Sequence, residues 1–182
     1  MKATGITRKI DELGRIVIPK EIRRTLRIRE GTPLEIFTEK NGEIILRKYS
    51  PLGELVSFAQ LYAESLAQAT GMMVCITDLE QVIAAAGGAK KEYLGKSISE
   101  QLEQLIGDRV QIQAQPEERK YISVAKDGKA DAFGQTICPI ICQGDAIGSV
   151  VLLAKESRSK MSEIEKKLAY CAAAFLGRQM EE

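Results

Sequence analysis

The chain of 182 residues contains no histidine at all. Histidine is the commonest general base in enzymes and the commonest metal ligand. Its absence removes Ser-His-Asp and Cys-His catalytic arrangements, histidine-ligated haem and most catalytic zinc sites. No paired acidic motif or P-loop is found, and Gly87-Gly88 lacks the following glycine of a dinucleotide fingerprint. We therefore expect a protein that is not an enzyme and that carries no cofactor.

The four cysteines are too few for a disulfide framework. Cys138 and Cys142 are four positions apart on a predicted strand, which separates them by roughly 13 Å, too far to share one metal ion. Cys75 and Cys171 lie in apolar runs. Buried free cysteine behaves as a small hydrophobe, so we expect this role for all four and predict no metal site.

Long hydrophobic runs are also missing, because none approaches the roughly 20 residues that a membrane span requires. The N-terminal sequence lacks the apolar stretch of a secretory signal. These two observations predict a soluble, cytoplasmic protein with no membrane partner.

The net charge of +1 conceals two halves of opposite sign. Residues 1–50 contain 12 Lys and Arg against 7 Asp and Glu, hence +5, whereas residues 51–182 contain 14 against 18, hence −4. A small basic module attracts polyanions and an acidic one repels them. The turn-forming sequence Ser50-Pro51-Leu52-Gly53 marks the predicted boundary between a domain of residues 1–50 and a domain of residues 51–182.

The first domain is predicted to consist of short strands and one helix. Strands over residues 4–10 and 15–18 flank an Asp11-to-Gly14 turn, and a helix follows over residues 19–26. Alternation over residues 33–38 and 43–48 predicts a hairpin, with Asn41-Gly42 in a type I′ turn. The run Ile16-Val17-Ile18 requires burial on both faces, which a fifty-residue monomer can scarcely provide and a partner chain can.

Basic side chains of the predicted helix lie on one side of it. Lys20, Arg23, Arg24 and Arg27 occupy positions i, i+3, i+4 and i+7, and Ile22 and Leu26 are expected on the opposite, buried side. Arginine can grip phosphates or the O6/N7 edge of guanine with two hydrogen bonds. This pattern indicates DNA binding.

The second domain is predicted to combine strands with amphipathic helices. A helix over residues 52–69 opens it, and a helix over residues 162–180 closes it, with Ser162 as N-cap and Glu165 completing a capping box. Between them we predict strands at 73–77, 82–86, 121–125, 134–142 and 146–154, and a polar helical stretch at 97–106. The fold class is therefore α+β.

The string LGRIVIPKEIRRTL resembles the AbrB family of transition-state regulators and the wider swapped-hairpin group, which includes antitoxin DNA-binding domains. The resemblance covers roughly residues 3–50 and implies a β-barrel in which hairpins of two chains intertwine. It also implies double-stranded DNA as a partner. By position, it places DNA contacts on Arg8, Arg15, Arg23 and Arg24, with Lys9, Lys20 and Arg27 secondary.

The string MMVCITDLEQVIAAAGGAKKEYLGKSIS resembles the opening strands and helical insertion of GAF sensor domains. Joined to an AbrB-type domain, it is similar to a family of regulators of late gene expression in endospore-forming bacteria. That resemblance implies a homotetramer associated through the flanking helices. Two roles are compatible with the GAF-like domain, assembly alone or sensing of an unidentified small molecule near residues 87–120. A second reading of the whole chain is an antitoxin that binds its own promoter and neutralises a toxin.

Overall fold

The computed structural model describes residues 5–26, 28–49, 56–88, 90–127, 132–156 and 161–181. The chain divides into two compact units, Met1–Tyr49 and Ser50–Glu182, which we call the N-terminal and C-terminal units. The predicted boundary between residues 50 and 51 falls in a stretch outside the described residues.

The N-terminal unit contains one short helix and one hairpin. Helix α1 spans Lys20–Thr25, with Pro19 as its N-cap. Strands β1 (Leu34–Thr38) and β2 (Ile44–Lys48) pair in antiparallel register. The predicted helix and hairpin are thus present, each a little shorter than expected.

The loop of this hairpin differs from the predicted type I′ turn. Gly42 alone has the left-handed φ of +84°, whereas a type I′ turn requires positive φ at both central residues. The N–H of Gly42 donates to the carbonyl of Glu39, and the N–H of Glu39 donates to the carbonyl of Glu43. Asn41 accepts the N–H of Glu43 with its side chain instead. The loop is therefore one that uses a glycine bulge after the turn.

The predicted strands at residues 4–10 and 15–18 are wrong. Within residues 5–18, the part of this segment that the structure describes, the backbone forms no strand ladder. The loop between them nevertheless closes as the β1–β2 loop does, with Gly14 at φ +74°. The N–H of Gly14 donates to Asp11, and the N–H of Asp11 donates to the carbonyl of Arg15. Turn chemistry is local, but a strand also requires a partner edge.

The C-terminal unit contains a five-stranded sheet in the order β4-β3-β7-β6-β5. Every neighbouring pair is antiparallel. The strands are β3 (Met73–Thr77), β4 (Val82–Ala86), β5 (Ile112–Ala114), β6 (Gln135–Cys142) and β7 (Asp145–Leu153). The helices are α2 (Val56–Thr70), α3 (Lys90–Tyr93), α4 (Glu100–Gly107) and α5 (Glu163–Gln179).

Helices cover both faces of this sheet. Helix α2 packs on β3 and β4, and α5 packs on β6 and β7, which together enclose one apolar cluster. Helix α4, with Tyr93 and the segment around Val124, encloses a second cluster on the opposite face. Because the sheet is covered twice, β3, β4 and β7 are almost continuously buried, which explains their uninterrupted apolar sequences.

The prediction of a strand at residues 121–125 is wrong. Ala125 makes only an isolated bridge with Ile98, and the fifth strand is β5, which pattern reading missed. The carboxamide of buried Gln135, oriented to satisfy both partners, donates to the carbonyl of Ile122 and accepts its N–H at 2.9 and 2.7 Å. A side chain therefore takes the place of a strand ladder at this edge.

Helix α5 approaches the end of β6 closely. A Cβ atom on Gly177 would lie 2.0 Å from the carbonyl oxygen of Ile141. At its N-terminus, Ser162 and Glu165 form the predicted capping box. These two ends determine where α5 lies on the sheet.

Candidate nucleic-acid interface

Helix α1 presents a basic face. Lys20, Arg23 and Arg24 are all exposed and all lie within its six residues, so the predicted i, i+3, i+4 spacing places them together on one side. Arg23 and Arg24 occupy the last turn, where the helix dipole stabilises cations. The helix can therefore offer several positive charges to one polyanion.

The opposite side of α1 is less buried than expected. Ile22 is half-buried, but Leu26 caps the helix and is 53% exposed. Arg27 lies outside the described residues.

Arg15 is held by a carboxylate in the turn before it. Oδ2 of Asp11 accepts a hydrogen bond from the guanidinium Nε of Arg15 at 2.8 Å, and Oδ1 accepts the backbone N–H of Arg15, also at 2.8 Å. The backbone and side-chain hydrogen bonds from Arg15 lower the pKa of Asp11 below its ordinary value. Sequence reasoning missed Asp11, although the spacing of an acid four residues before an arginine was a usable signal.

Arg8 and Lys9 lie before this turn, and both are exposed. Nη1 of Arg8 donates to the carbonyl of Thr7 at 3.2 Å, a contact with its own neighbour. Among the described residues, no hydrogen bond or ion pair joins Arg8 to Arg15 or to α1. The structure thus brings Arg23 and Arg24 together on α1 and places Arg8 and Arg15 on either side of the Asp11-to-Gly14 turn.

The N-terminal unit has almost no interior of its own. Pro19 is the only buried residue among those described in it. Exposed apolar side chains include Val17 at 71%, Ile36 at 66% and Ile44 at 62%. Ile36 and Ile44 belong to the alternating apolar face of the β1–β2 hairpin, as predicted. A unit with so much apolar surface in water needs a partner surface to bury it.

The C-terminal unit carries a second exposed apolar surface, on α2 and α5. Phe58, Tyr62 and Phe175 form an aromatic cluster between the two helices, in which Tyr62 stacks on both phenylalanine rings and these two rings are tilted to each other. Leu61 of α2 is 64% exposed, and Phe175 of α5 is 43% exposed. We call Phe58, Leu61, Tyr62 and Phe175 the aromatic face.

The cysteines do not all behave as predicted. Cys75 and Cys138 are buried, Cys142 is half-buried, and Cys171 is exposed on α5, so the expectation of a buried Cys171 is wrong. Its apolar neighbours in sequence lie on several sides of the helix, and Cys171 itself points away from the sheet. Among the residues that the structure describes, no group of three or more cysteine or acidic side chains is arranged to hold a metal ion.

No helix within the described ranges is both long and apolar enough to cross a membrane.

Two family models match the chain. The model described as "Stage V sporulation protein T C-terminal, transcription factor" matches residues 54–181. The model described as "Antidote-toxin recognition MazE, bacterial antitoxin" matches residues 7–53. Over 182 residues, the chain is 50% identical to stage V sporulation protein T of Bacillus subtilis (strain 168), covering 100% of both chains. This chain belongs to the stage V sporulation protein T family.

Further comparisons agree with the two-part organisation of a stage V sporulation protein T family member. Transition state regulatory protein AbrB of Bacillus subtilis (strain 168) is 45% identical over 85 residues, which are 46% of this chain and 88% of AbrB. The GAF domain of the nutrient sensor CodY from Clostridium difficile superposes with a TM-score of 0.50 at 16% identity, over 66% of this chain and 83% of that one. The predicted AbrB and GAF resemblances and the α+β class are confirmed.

Membership of the stage V sporulation protein T family also decides between the two readings of the chain. The antitoxin reading is not favoured, because the full-length match is to a sporulation protein. The matching family model is described as that of a transcription factor.

Proposed function

We propose that this protein is a cytoplasmic transcription regulator of sporulation-stage genes that binds double-stranded DNA through Arg8, Arg15, Arg23 and Arg24. Lys9, Lys20 and Arg27 make secondary contacts. The observation that carries the proposal is the exposed basic face of α1, together with a turn that presents Arg15, within the 50 N-terminal residues, which carry a charge of +5. The domains are residues 1–50, which bind DNA, and residues 51–182, which assemble the protein.

The DNA-binding domain acts as an intertwined dimer with a closed swapped-hairpin barrel. This proposal is supported by the exposure of Val17, Ile36 and Ile44 and by the extended sequence pattern of residues 15–18, which belong to no strand within the described part of one chain. A second copy supplies both the strand edges and the apolar partner surface.

Two such dimers join into a tetramer through the aromatic face. Large aromatic side chains contribute much of the binding free energy at protein interfaces. Leu61→Glu, which places a charge at an exposed position of this face, should therefore convert tetramers to dimers in analytical sedimentation of the full chain. Gln101→Glu adds the same charge at an exposed position of α4, on the other side of the sheet, and should leave the tetramer intact. Equal behaviour of the two variants would refute the assignment.

Small-molecule sensing is a second role of the GAF-like domain, suggested by its likeness to the GAF domain of the nutrient sensor CodY. The face of the sheet below α4 is packed with the chain's own side chains, including Leu102, Ile106 and Ile137. A ligand on this face would have to displace some of these side chains. A ligand that binds the folded domain stabilises it against unfolding. A thermal-shift screen of metabolites would detect such a ligand.

DNA binding by arginines predicts a strong salt dependence. Each neutralised phosphate contributes about −0.9 to the slope of log affinity against log salt concentration, so four arginines in each chain of a dimer contribute up to about −7. Alanine substitution of Arg8, Arg15, Arg23 or Arg24 should weaken binding and reduce this slope. Lys40→Ala removes one charge from the tip of the β1–β2 hairpin and serves as the control. Unchanged affinity and slope in all four variants, with the dimer intact, would remove the site assignment.

A further inference from the structure

One carboxylate organises the turn that carries Arg15. Oδ1 of Asp11 accepts the backbone N–H of Leu13 at 3.0 Å and that of Arg15 at 2.8 Å, while Oδ2 accepts Nε–H of the Arg15 guanidinium at 2.8 Å. The same residue closes the turn through its backbone, with Gly14 and Arg15 as partners. Asp11 thus determines both the backbone of the turn and the direction in which the Arg15 side chain leaves it.

The contact with Asp11 does not use the two terminal Nη groups of the Arg15 guanidinium. A guanidinium has five N–H donors, and the ion pair uses Nε. The two Nη groups form the fork that matches paired acceptors, either the O6/N7 edge of guanine or two phosphate oxygens. The Arg15 side chain is 70% exposed despite the ion pair, so the fork is accessible.

The ion pair also changes what Arg15 can contribute to DNA binding. A carboxylate beside a guanidinium partly offsets its charge at a distance, so Arg15→Ala should reduce the salt slope less than the alanine variants of Arg8, Arg23 and Arg24 do. Short-range hydrogen bonds from the Nη fork are directional and are not cancelled. A restrained arginine of this kind contributes to discrimination between sequences more than to general affinity for phosphate.

We propose that Asp11 is a specificity-determining positioning residue, which holds Arg15 by Nε so that its Nη fork meets paired acceptors on a base edge in the major groove. The inference rests on the proposed role of Arg15 in DNA binding. It assigns Asp11 no contact with DNA.

The test compares two duplexes and a matched pair of acidic variants of the full chain. One duplex is enriched from a random library by the protein itself, and the other is a scrambled duplex of the same composition. Asp11→Asn keeps the Oδ1 acceptor for the turn but removes the charge that holds Nε. Glu12→Gln removes the same charge from the neighbouring residue in the turn.

Asp11→Asn should weaken binding to the enriched duplex about 3- to 10-fold, the expected effect of freeing one long side chain that must then be ordered on binding. Binding to the scrambled duplex should stay the same or become tighter. Glu12→Gln should change both affinities by one common factor. In the Arg15→Ala background, Asp11→Asn should change both affinities by one common factor, as Glu12→Gln does, because its partner is gone.

The outcomes separate the two levels of the argument. If Arg15→Ala alone leaves both affinities unchanged, the role of Arg15 in DNA binding fails, and this inference fails with it. If Arg15→Ala weakens binding but Asp11→Asn behaves as Glu12→Gln does, only the inference is overturned.

The Arg15 Nε–H resonance gives a further readout, since its chemical shift should change in Asp11→Asn and stay the same in Glu12→Gln. Should Asp11→Asn disturb folding, Arg15→Lys keeps the charge without Nε and should reproduce the selective loss on the enriched duplex. An equal loss on both duplexes would contradict the proposal.

Discussion

The close approach of α5 to β6 predicts a large effect of one methyl group. In Gly177→Ala the new Cβ would lie 2.0 Å from the carbonyl oxygen and 3.0 Å from the carbonyl carbon of Ile141. Ordinary contacts of this kind are more than an ångström longer, and a backbone carbonyl in a paired strand cannot turn aside. The helix must therefore move away from the sheet.

The magnitude follows from two opposed contributions. Replacing glycine by alanine inside a helix stabilises it by about 1 kcal/mol, whereas overpacking a filled core costs about 1 to 3 kcal/mol. A clash with backbone belongs at the upper end of that range. We expect the free energy of unfolding to fall by about 1 to 2 kcal/mol, as the difference of the two contributions.

Urea unfolding of the full chain, followed by far-ultraviolet circular dichroism, measures this change. With a slope of about 2 kcal/mol per molar urea, the midpoint should fall by about 0.5 to 1 M without a change in slope. Gly107→Ala is the matched control, because Gly107 ends α4 and a Cβ there would meet nothing within 4 Å. It should be neutral or slightly stabilising. A Gly177→Ala variant as stable as the original chain would refute the reasoning.

Two further predictions concern a helix end and the thiols. Arg109 has a left-handed φ of 57° at the position after α4 where glycine is preferred, and its exposed ion pair with Asp145 is long at 3.8 Å. Arg109→Gly should therefore raise the free energy of unfolding by about 0.5 to 1 kcal/mol in the same urea assay, and a decrease would contradict this. Burial raises the pKa of Cys75 to about 12 and that of Cys138 to about 11, which keeps both as unreactive thiols at pH 8 because the thiolate is the nucleophile. Alkylation followed by mass spectrometry should leave Cys75 and Cys138 unmodified in the folded chain and modify both after unfolding in urea, and labelling of Cys75 at the same rate in both states would contradict the burial.

Much of the local structure could be predicted because it depends on neighbours in sequence. Side-chain type and spacing predict the strands β3 and β4, the capping box of Ser162 and Glu165, and the position of the β1–β2 loop at Gly42. The basic spacing of α1 is of the same kind, since three residues on one helix face need no other element to place them. The identification of the AbrB and GAF resemblances also rests on contiguous strings.

Other features were decided only by tertiary structure. Residues 121–125 have the sequence of a strand, but Gln135, distant in sequence, binds the backbone of Ile122 with its side chain. Cys171 is exposed although its neighbours in sequence are apolar, because its side of α5 faces away from the sheet. The sequence by itself therefore determined the family, the strands and helices with local signals and the basic residues of the N-terminal unit. Which side chain meets which partner was decided by the packed chain, since such contacts depend on residues that no local pattern relates.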